Sequence, residues 1–174
     1  MKKPPGLSPI APLAPTDQVG AFACGNTEID DFLKNRARVE QAAHLSQVYV
    51  TTNAANEVVA YFTMSPVTVR VEGELLTTLG IGSVPYPSLG GFLLGRLGVH
   101  SALQGAGIGA ALVMRAAQIA KSEAEVVGGA FLAVDPKTVD ASKGERLVQW
   151  YADLGFVQLG ERTRRMILPF SAVP

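Results

Sequence analysis

The sequence predicts a single α/β domain in which helices pack on a central sheet. Three observations carry this prediction: a length of 174 residues, an apolar fraction of 48%, and strand-like and helix-like segments that alternate along the chain. A chain of this length buries a core without metals or disulfides. Because nearly half of the residues are apolar and only 17% are charged, a disordered chain is excluded.

Residues 1–20 predict an extended N-terminal arm. Lys2 and Lys3 precede a run broken by prolines, and no continuous apolar segment suits a signal peptide or a membrane span. The single Cys24 cannot form a disulfide within the chain, and no cysteines and histidines have zinc-like spacing. We therefore expect a cytoplasmic protein that binds no metal and contacts no membrane.

A helix, a hairpin and a third strand follow the arm. Thr27 is a good N-cap, and apolar residues at helical spacing extend this helix to about His44. Residues 47–51 and 58–64 are rich in β-formers and flank a turn-like segment, which predicts a hairpin. Residues 67–71 alternate between valine and polar side chains, as a half-exposed strand does.

A loop rich in glycine and proline then continues to Gly91, and we expect it at the surface near the functional site. The apolar side chains of residues 84–94 suit a dimer interface and a lid equally. The remaining pattern shows no repeat and no second domain. It predicts, in order, a strand at 92–99, a helix at 107–121, a strand at 129–134, a helix at 142–154, and closing strands at 156–157 and 166–168.

A predicted strand leads through a short loop into a helix at residues 97–109, and the loop contains Gln104-Gly105-Ala106-Gly107-Ile108-Gly109. Glycines let the backbone approach a phosphate closely. Free N–H groups and the positive dipole at a helix N-terminus attract the phosphate charge. This pattern therefore predicts an anion site that suits a pyrophosphate.

Gly105, Gly107 and Ala110 also fit the dinucleotide fingerprint of a Rossmann domain. That fingerprint follows its strand at once and opens the domain, whereas here about a hundred residues of mostly strand come first. No acidic residue ends a strand at the expected distance, because Asp135 lies about thirty residues further on. A glycine-rich turn without a ligand is the plainer alternative.

The loop resembles the pyrophosphate loop of the Gcn5-related N-acetyltransferases, whose pattern is Gln/Arg-x-x-Gly-x-Gly/Ala. Gln104, Gly107 and Gly109 match it. Flanking segments make the chain similar to the TacT-type toxins of that family over residues 22–170. They are Cys24-Gly25, Ile29-Asp30-Asp31-Phe32-Leu33, Gly95-Arg96-Leu97-Gly98-Val99 and Trp150-Tyr151-Ala152-Asp153-Leu154-Gly155-Phe156. The resemblance implies the family's fold, a mixed, mostly antiparallel twisted sheet flanked by helices and splayed at the cofactor site.

The resemblance also implies acetyl-coenzyme A as the acetyl donor. The loop would hold its pyrophosphate, and the backbone N–H of Val99 would polarise the thioester carbonyl. Tyr151, in a Tyr-x-x-x-Gly-Phe signature, would protonate the departing sulfur as general acid, although a half-buried core tyrosine is the plainer alternative. The residues implied in cofactor binding are Leu97, Gly98, Val99, Gln104, Gly105, Ala106, Gly107, Ile108 and Gly109.

Members of the resembled subgroup acetylate the α-amino group of aminoacyl-tRNA. The resemblance further implies a ribbon-helix-helix antitoxin as a partner, and a homodimer. Because the formal net charge is zero, RNA binding requires local basic patches, and a solvated face is the plainer interpretation of such patches. The candidates are Arg36 and Arg38 with Lys34, and Arg164 and Arg165 with Arg162.

Two other functions stay open at this point. The chain could acetylate a small amine or a protein N-terminus, because acceptor pockets vary while the cofactor loop persists, or it could be a non-catalytic sensor of acetyl-coenzyme A. The chain also departs from the subgroup at Gly98 and His100, where alanine and aspartate are common. We expect these changes to spare cofactor binding and to alter the acceptor side.

Overall fold

The computed structural model describes residues 6–137, 140–160 and 163–174. Within these residues seven strands form one sheet in the order β1-β2-β3-β4-β5-β7-β6. The β4–β5 pair is parallel, and the β1–β2, β2–β3, β5–β7 and β6–β7 pairs are antiparallel, so the expected mixed, mostly antiparallel sheet is confirmed. The strands are β1 (Ala11–Pro12), β2 (Gln47–Thr52), β3 (Val58–Arg70), β4 (Ser88–Val99), β5 (Phe131–Val134), β6 (Val157–Gln158) and β7 (Met166–Pro169).

The helices of the described residues are α1 (Thr27–Asp31), α2 (Ala37–Ala42), α3 (Gly73–Leu79), α4 (Ile108–Val127) and α5 (Ala141–Asp153). A π-helical turn, Phe32–Arg36, joins α1 to α2. The predicted first helix, hairpin, glycine-loop helix and α5 are therefore present. None of the described helices is long and apolar enough to cross a membrane.

The chain divides into two compact units, each with its own apolar core. The first unit comprises the chain up to Ser65 together with Gly95–Ala116, and the second comprises Pro66–Leu94 and the chain from Ala117 onward. The first core is built from Leu13, Phe22, Phe32, Leu33, Ala37, Val48, Val50, Val58 and Tyr61. The second core is built around Leu75, Phe131, Ala133 and Ile167.

The π turn changes which residues of the first helix face the core. Regular helical spacing places Arg36 on the same face as Phe32 and Leu33. In the structure, the Ala37 N–H bonds to the Phe32 carbonyl five residues back, which inserts one residue into the helical repeat. Ala37 is therefore fully buried, and the side chain of Arg36 is 61% exposed.

The start of this helix also differs from the prediction. Asn26, not Thr27, is the N-cap, because its side-chain oxygen accepts hydrogen bonds from the N–H groups of Glu28 and Ile29. The Asn26 backbone is extended, as an N-cap requires, whereas Thr27 is already helical. The predicted N-cap was wrong by one residue.

The predicted strand at 67–71 corresponds to the C-terminal part of β3, which ends at Arg70, and part of the expected loop after it is a helix. Residues Gly73–Leu79 form α3, which buries Leu75 and ends at Gly80 in the left-handed conformation. β4 begins at Ser88 and so includes the glycines that were assigned to the loop. At Gly91 a Cβ would lie 2.4 Å from the Phe131 ring, so only glycine permits this approach.

Gly98 lies where three large side chains leave no room for a methyl group. An ideal Cβ there would lie 2.8 Å from Ile29 Cγ2, 3.0 Å from Phe22 Cζ and 3.2 Å from Tyr61 Cε1. We expect Gly98→Ala to lower the free energy of unfolding by about 1–3 kcal/mol through overpacking. Gly90→Ala, in an exposed part of the same strand with nothing within 4 Å, is the matched control for urea titration. Equal unfolding midpoints for the two variants would contradict this packing.

Candidate cofactor and catalytic site

The end of β4 has one edge bonded to β3 and the other edge turned away from it. The Arg96 N–H donates to a threonine hydroxyl of β3 at 3.0 Å, and the His100 N–H donates to a carbonyl of β3 at 2.8 Å. Because amide groups alternate sides along a strand, the N–H groups of Leu97 and Val99 point away from β3. The register of β4 with β5 ends at Leu94, so the strand continues past that pairing.

The Gln104 side chain links the end of β4 to the segment that precedes the first helix. Its Nε2 donates to the Val99 carbonyl at 2.9 Å and to the Cys24 carbonyl at 2.7 Å. Both amide protons are thereby used on the protein's own backbone. The N–H groups of Leu97 and Val99 are the backbone donors on the outer edge of the strand end, and Gln104 acts as a brace that holds the loop to this end.

The glycine loop has the backbone conformation that an anion site requires. Gly105 and Gly107 have φ angles of 81° and 79°, in the left-handed region that favours glycine. Residues 104–107 are exposed, and the first hydrogen bond of α4 runs from the Ala111 N–H to the Gly107 carbonyl at 3.1 Å. The N–H groups of the helical residues before Ala111 are therefore available to a bound anion.

His100 caps the short 3₁₀ turn between β4 and the loop. Its Nδ1 accepts a hydrogen bond from the Ala102 N–H at 3.2 Å. The aspartate that is common at this position in the subgroup would accept the same kind of bond. Replacing it by His100 therefore preserves the N-cap of the 3₁₀ turn. Ser101 adds two bonds, from its N–H and its hydroxyl, to the Ala23 carbonyl.

Tyr151 lies on α5 in the second unit and is 7% exposed. Its ring packs edge-on against Trp150 and Phe156, with centroids 4.9 Å and 5.3 Å away. Burial raises the pKa of Tyr151 to about 12, so the phenol stays protonated at neutral pH. Among the described residues its hydroxyl has no hydrogen-bond partner. A packed ring with such a hydroxyl suits a donor to a ligand.

The basic candidates of the first helix differ in what they contact. Arg36 pairs with Glu40 at 2.7 Å on the surface. Arg38 donates to the Asp17 carbonyl at 2.6 Å and to the Ala14 carbonyl at 3.3 Å, so it fastens the N-terminal arm to the helix. Lys34 is exposed.

The basic candidates near the C-terminus also differ. Arg164 is exposed, whereas Arg165 donates two hydrogen bonds, of 2.7 and 2.6 Å, to the carboxylate of Asp135. This ion pair lies in a pocket of about 320 Å³ within the second unit, which Glu72 and Glu74 also line. Arg162 lies outside the described residues.

The contact between Cys24 and Asp30 was not predicted from the sequence. The Cys24 N–H donates to Asp30 at 2.8 Å, and burial followed by the Asp30 hydrogen bond raises the pKa of its thiol to about 11. The thiol is therefore protonated and unreactive at neutral pH.

Arg96 was noted only as part of a motif, yet its guanidinium carbon lies 3.8 Å from the centroid of the Phe32 ring. Within the described ranges no group of three or more His, Cys, Asp or Glu residues is placed to hold a metal ion.

The model of the Acetyltransferase (GNAT) family matches residues 25–156, a range that includes the strand end, the glycine loop and α5. The chain belongs to this family. It is therefore an N-acetyltransferase, and its acetyl donor is acetyl-coenzyme A. The Rossmann alternative is excluded by this membership.

Known proteins also resemble this acetyltransferase over almost its whole length. The probable toxin TacT of Sinorhizobium fredii is 27% identical over 171 residues, which are 94% of this chain and 92% of that protein. The structure of AtaT complexed with acetyl-methionyl-tRNAfMet has a TM-score of 0.81 at 22% identity and covers 96% of each chain. A mutant AtaT toxin bound to acetyl-CoA and the C-terminus of the antitoxin AtaR has a TM-score of 0.76 at 22% identity, with 97% and 96% covered. The resemblance to TacT-type toxins is thereby confirmed.

The Asp135–Arg165 pair predicts how stability depends on acid. The hydrogen bonds from Arg165 hold the pKa of Asp135 below its usual range. A carboxyl whose pKa is lower in the folded state stabilises the fold above its unfolded pKa, about 3.9, and this contribution is lost as the pH falls through the folded value. We expect Asp135→Asn to be less stable than wild type at neutral pH, with a difference that shrinks below about pH 4.

Urea titrations across that pH range measure the difference. Glu145→Gln, on an exposed position of α5, is the control for losing one carboxylate. A deficit for Asp135→Asn that stays constant at every pH would contradict the ion pair.

Proposed function

We propose that this acetyltransferase is a toxin that acetylates the α-amino group of aminoacyl-tRNA and so removes the amino acid from translation. The observation that carries the acetyl-transfer half is the strand end and glycine loop held together by Gln104. The acceptor half is supported by the similarity to the probable toxin TacT and by the fold shared with AtaT, which was solved with acetyl-methionyl-tRNAfMet.

In this proposal the backbone of the first unit binds the acetyl donor. The N–H groups from Gly105 to Gly109 would donate to its pyrophosphate, and the outer edge of Leu97–Val99 would bind the thioester arm. The Val99 N–H points away from β3 and would donate to the carbonyl oxygen that becomes negative during transfer. Backbone donors suit this task because they are fixed before the reaction begins.

Tyr151 would supply the proton that the departing thiolate needs. The amine nitrogen forms a bond to the carbonyl carbon, the carbon–sulfur bond breaks, and the sulfur takes the phenol proton. A phenol with a pKa of about 12 is a weaker acid than a thiol near 8.5, so proton transfer from Tyr151 to the sulfur is unfavourable by itself. The proton that the amine releases must therefore reach the phenolate in the same turnover. Tyr151 then acts as a relay and ends each turnover protonated.

The acceptor amine needs no strong base. A free α-amino group has a reference pKa of about 7.7–8.0, and the neighbouring ester of an aminoacyl group withdraws electrons and lowers it further. A substantial neutral fraction is therefore present near neutral pH.

We assign Arg36, Arg38, Arg164 and Arg165 to phosphate contacts with the RNA. Arg36, Arg38 and Arg164 are exposed, and Arg165 is half-buried. Arg36 is paired with Glu40, Arg38 is bonded to the arm and Arg165 is paired with Asp135, so these three would exchange or share their present partners when RNA binds. Their contacts position RNA without reading its sequence and weaken as salt rises.

The proposal includes a cellular setting. Both compact units would belong to one acetyltransferase domain of a cytoplasmic homodimer, and exposed Ile81 and Tyr86 beside β4 offer apolar contact area. A ribbon-helix-helix antitoxin would neutralise the enzyme. The AtaT structure that contains the C-terminus of the antitoxin AtaR supports an antitoxin as a partner.

Replacing Tyr151 by phenylalanine tests the proposed acid. The substitution keeps the ring packing and removes only the hydroxyl, so we expect acetyl transfer to bulk aminoacyl-tRNA to fall by about 10²–10⁴-fold. The measurement is label from acetyl-coenzyme A in the tRNA fraction. Tyr49→Phe is the matched control, because Tyr49 is also a packed tyrosine, stacked on Phe62 with centroids 5.0 Å apart.

The same assay separates the alternative functions. Thiol release with small amines or peptides, without label in tRNA, would keep the acetyltransferase and reject the toxin. No thiol release with any acceptor would make the chain a sensor of acetyl-coenzyme A.

A further inference from the structure

Arg96 carries a charge that the described structure leaves without an anionic partner. It is half-buried on β4, and its backbone N–H is used by Thr63. Within the described residues its guanidinium makes no hydrogen bond and no ion pair. Arg36 and Arg165, by contrast, are each paired with a carboxylate. None of the buried side-chain nitrogen and oxygen atoms of the described residues lacks a partner, so the unused donors of Arg96 reach the surface, where they are available to a ligand.

Aromatic rings hold this guanidinium in place. Its carbon lies 3.8 Å from the centroid of the Phe32 ring, and Phe32 in turn stacks on Tyr61 with centroids 6.3 Å apart. Both rings are buried, so they form a fixed platform. Stacking on a ring face leaves the N–H donors at the rim of the planar guanidinium, where they can meet a flat or tetrahedral anion.

The polar groups next to this platform bond to partners other than Arg96. The Tyr61 hydroxyl donates to the Ile29 carbonyl at 2.7 Å. The Asp30 carboxylate accepts the Cys24 N–H at 2.8 Å. Neither group makes a hydrogen bond or an ion pair to Arg96 within the described residues, so the guanidinium can still bind a ligand.

Arg96 lies on the same strand as Val99, whose N–H is the proposed donor to the acetyl carbonyl. Arg96 and Gly98 lie on the same face of the strand, and the Gly98 face meets Ile29 and Phe22 of the segment around the first helix. Val99 follows three residues after Arg96, about 10 Å along an extended strand. An aminoacyl ester whose amine lies at Val99 has its nearest anion, the phosphate of the terminal nucleotide, one ribose away.

We propose that Arg96 binds the phosphate adjacent to the 3′-terminal ribose of the acceptor and thereby places the amine at the Val99 N–H. This assignment rests on the proposed aminoacyl-tRNA function. A guanidinium matches phosphate oxygens with two parallel N–H donors, and such a contact positions a nucleic acid without reading its bases. Arg96 is thus a positioning residue for the acceptor and has no part in holding the acetyl donor.

Two small acceptors that differ only in this phosphate provide the test. One is an aminoacyl ester of adenosine, and the other is the same ester of adenosine 5′-monophosphate. We expect Arg96→Met to lower kcat/KM about 10–100-fold for the phosphate-bearing ester, the usual loss for a charged hydrogen bond. For the phosphate-free ester the variant and wild type should agree within about twofold, and the KM for acetyl-coenzyme A should not change.

Two further variants control for structure. Arg96→Lys keeps the charge but loses the two-donor geometry, so it should recover part of the phosphate-dependent advantage. Arg115→Met removes an equal charge from an exposed position on α4 and should behave as wild type with both esters. Thermal melting of each variant establishes that it is folded.

Other outcomes overturn the assignment. An equal loss with both esters would mean that Arg96 acts only through packing of β4, and an increased KM for acetyl-coenzyme A would place it in the donor site. If wild type acetylates neither ester and no aminoacyl-tRNA, the proposed function fails and the assignment fails with it. Acetylation of both esters by wild type without a phosphate-dependent loss in Arg96→Met rejects the assignment alone.

Discussion

The two hydrogen bonds of the Gln104 amide are the interaction on which the rest of the candidate site depends. They tie the last carbonyl of β4, at Val99, to the Cys24 carbonyl before the first helix, from a residue that itself opens the glycine loop. The strand end, the loop and the entry to the helix therefore share one anchor. The family pattern permits glutamine or arginine at this position, and both side chains carry more than one N–H donor.

Much of the fold follows from local pattern, and the exceptions have physical causes. The hairpin was predicted because two runs of β-forming residues flank a turn-like segment, and α4 and α5 were predicted because apolar residues recur at helical spacing over several turns. The π turn was not predicted, because side-chain periodicity cannot distinguish one helical bond to the fifth residue from regular bonds to the fourth. α3 was missed because it is short and buries only Leu75, which leaves almost no periodic signal.

The sequence predicted residues for the candidate site, but it did not predict which groups their side chains contact. Sequence identifies Gln104 and Tyr151 by motif, yet only the fold shows that the Gln104 amide faces the protein's own carbonyls. The sequence also does not reveal that Arg38 fastens the arm or that Arg165 is paired with Asp135, since these partners lie far away along the chain. The stacking of Arg96 on Phe32 was not predicted for the same reason, because Phe32 belongs to a distant segment of the chain.

If the two hydrogen bonds from Gln104 hold the glycine loop in the conformation that binds the cofactor, a residue of equal size without those donors should weaken cofactor binding. Gln104→Glu meets that condition, because a carboxylate only accepts and would face two carbonyl oxygens. Isothermal titration with coenzyme A should then show an affinity at least about tenfold below that of wild type, for the loss of the paired bonds. A folded Gln104→Glu variant that binds coenzyme A as tightly as wild type would contradict the role of this brace.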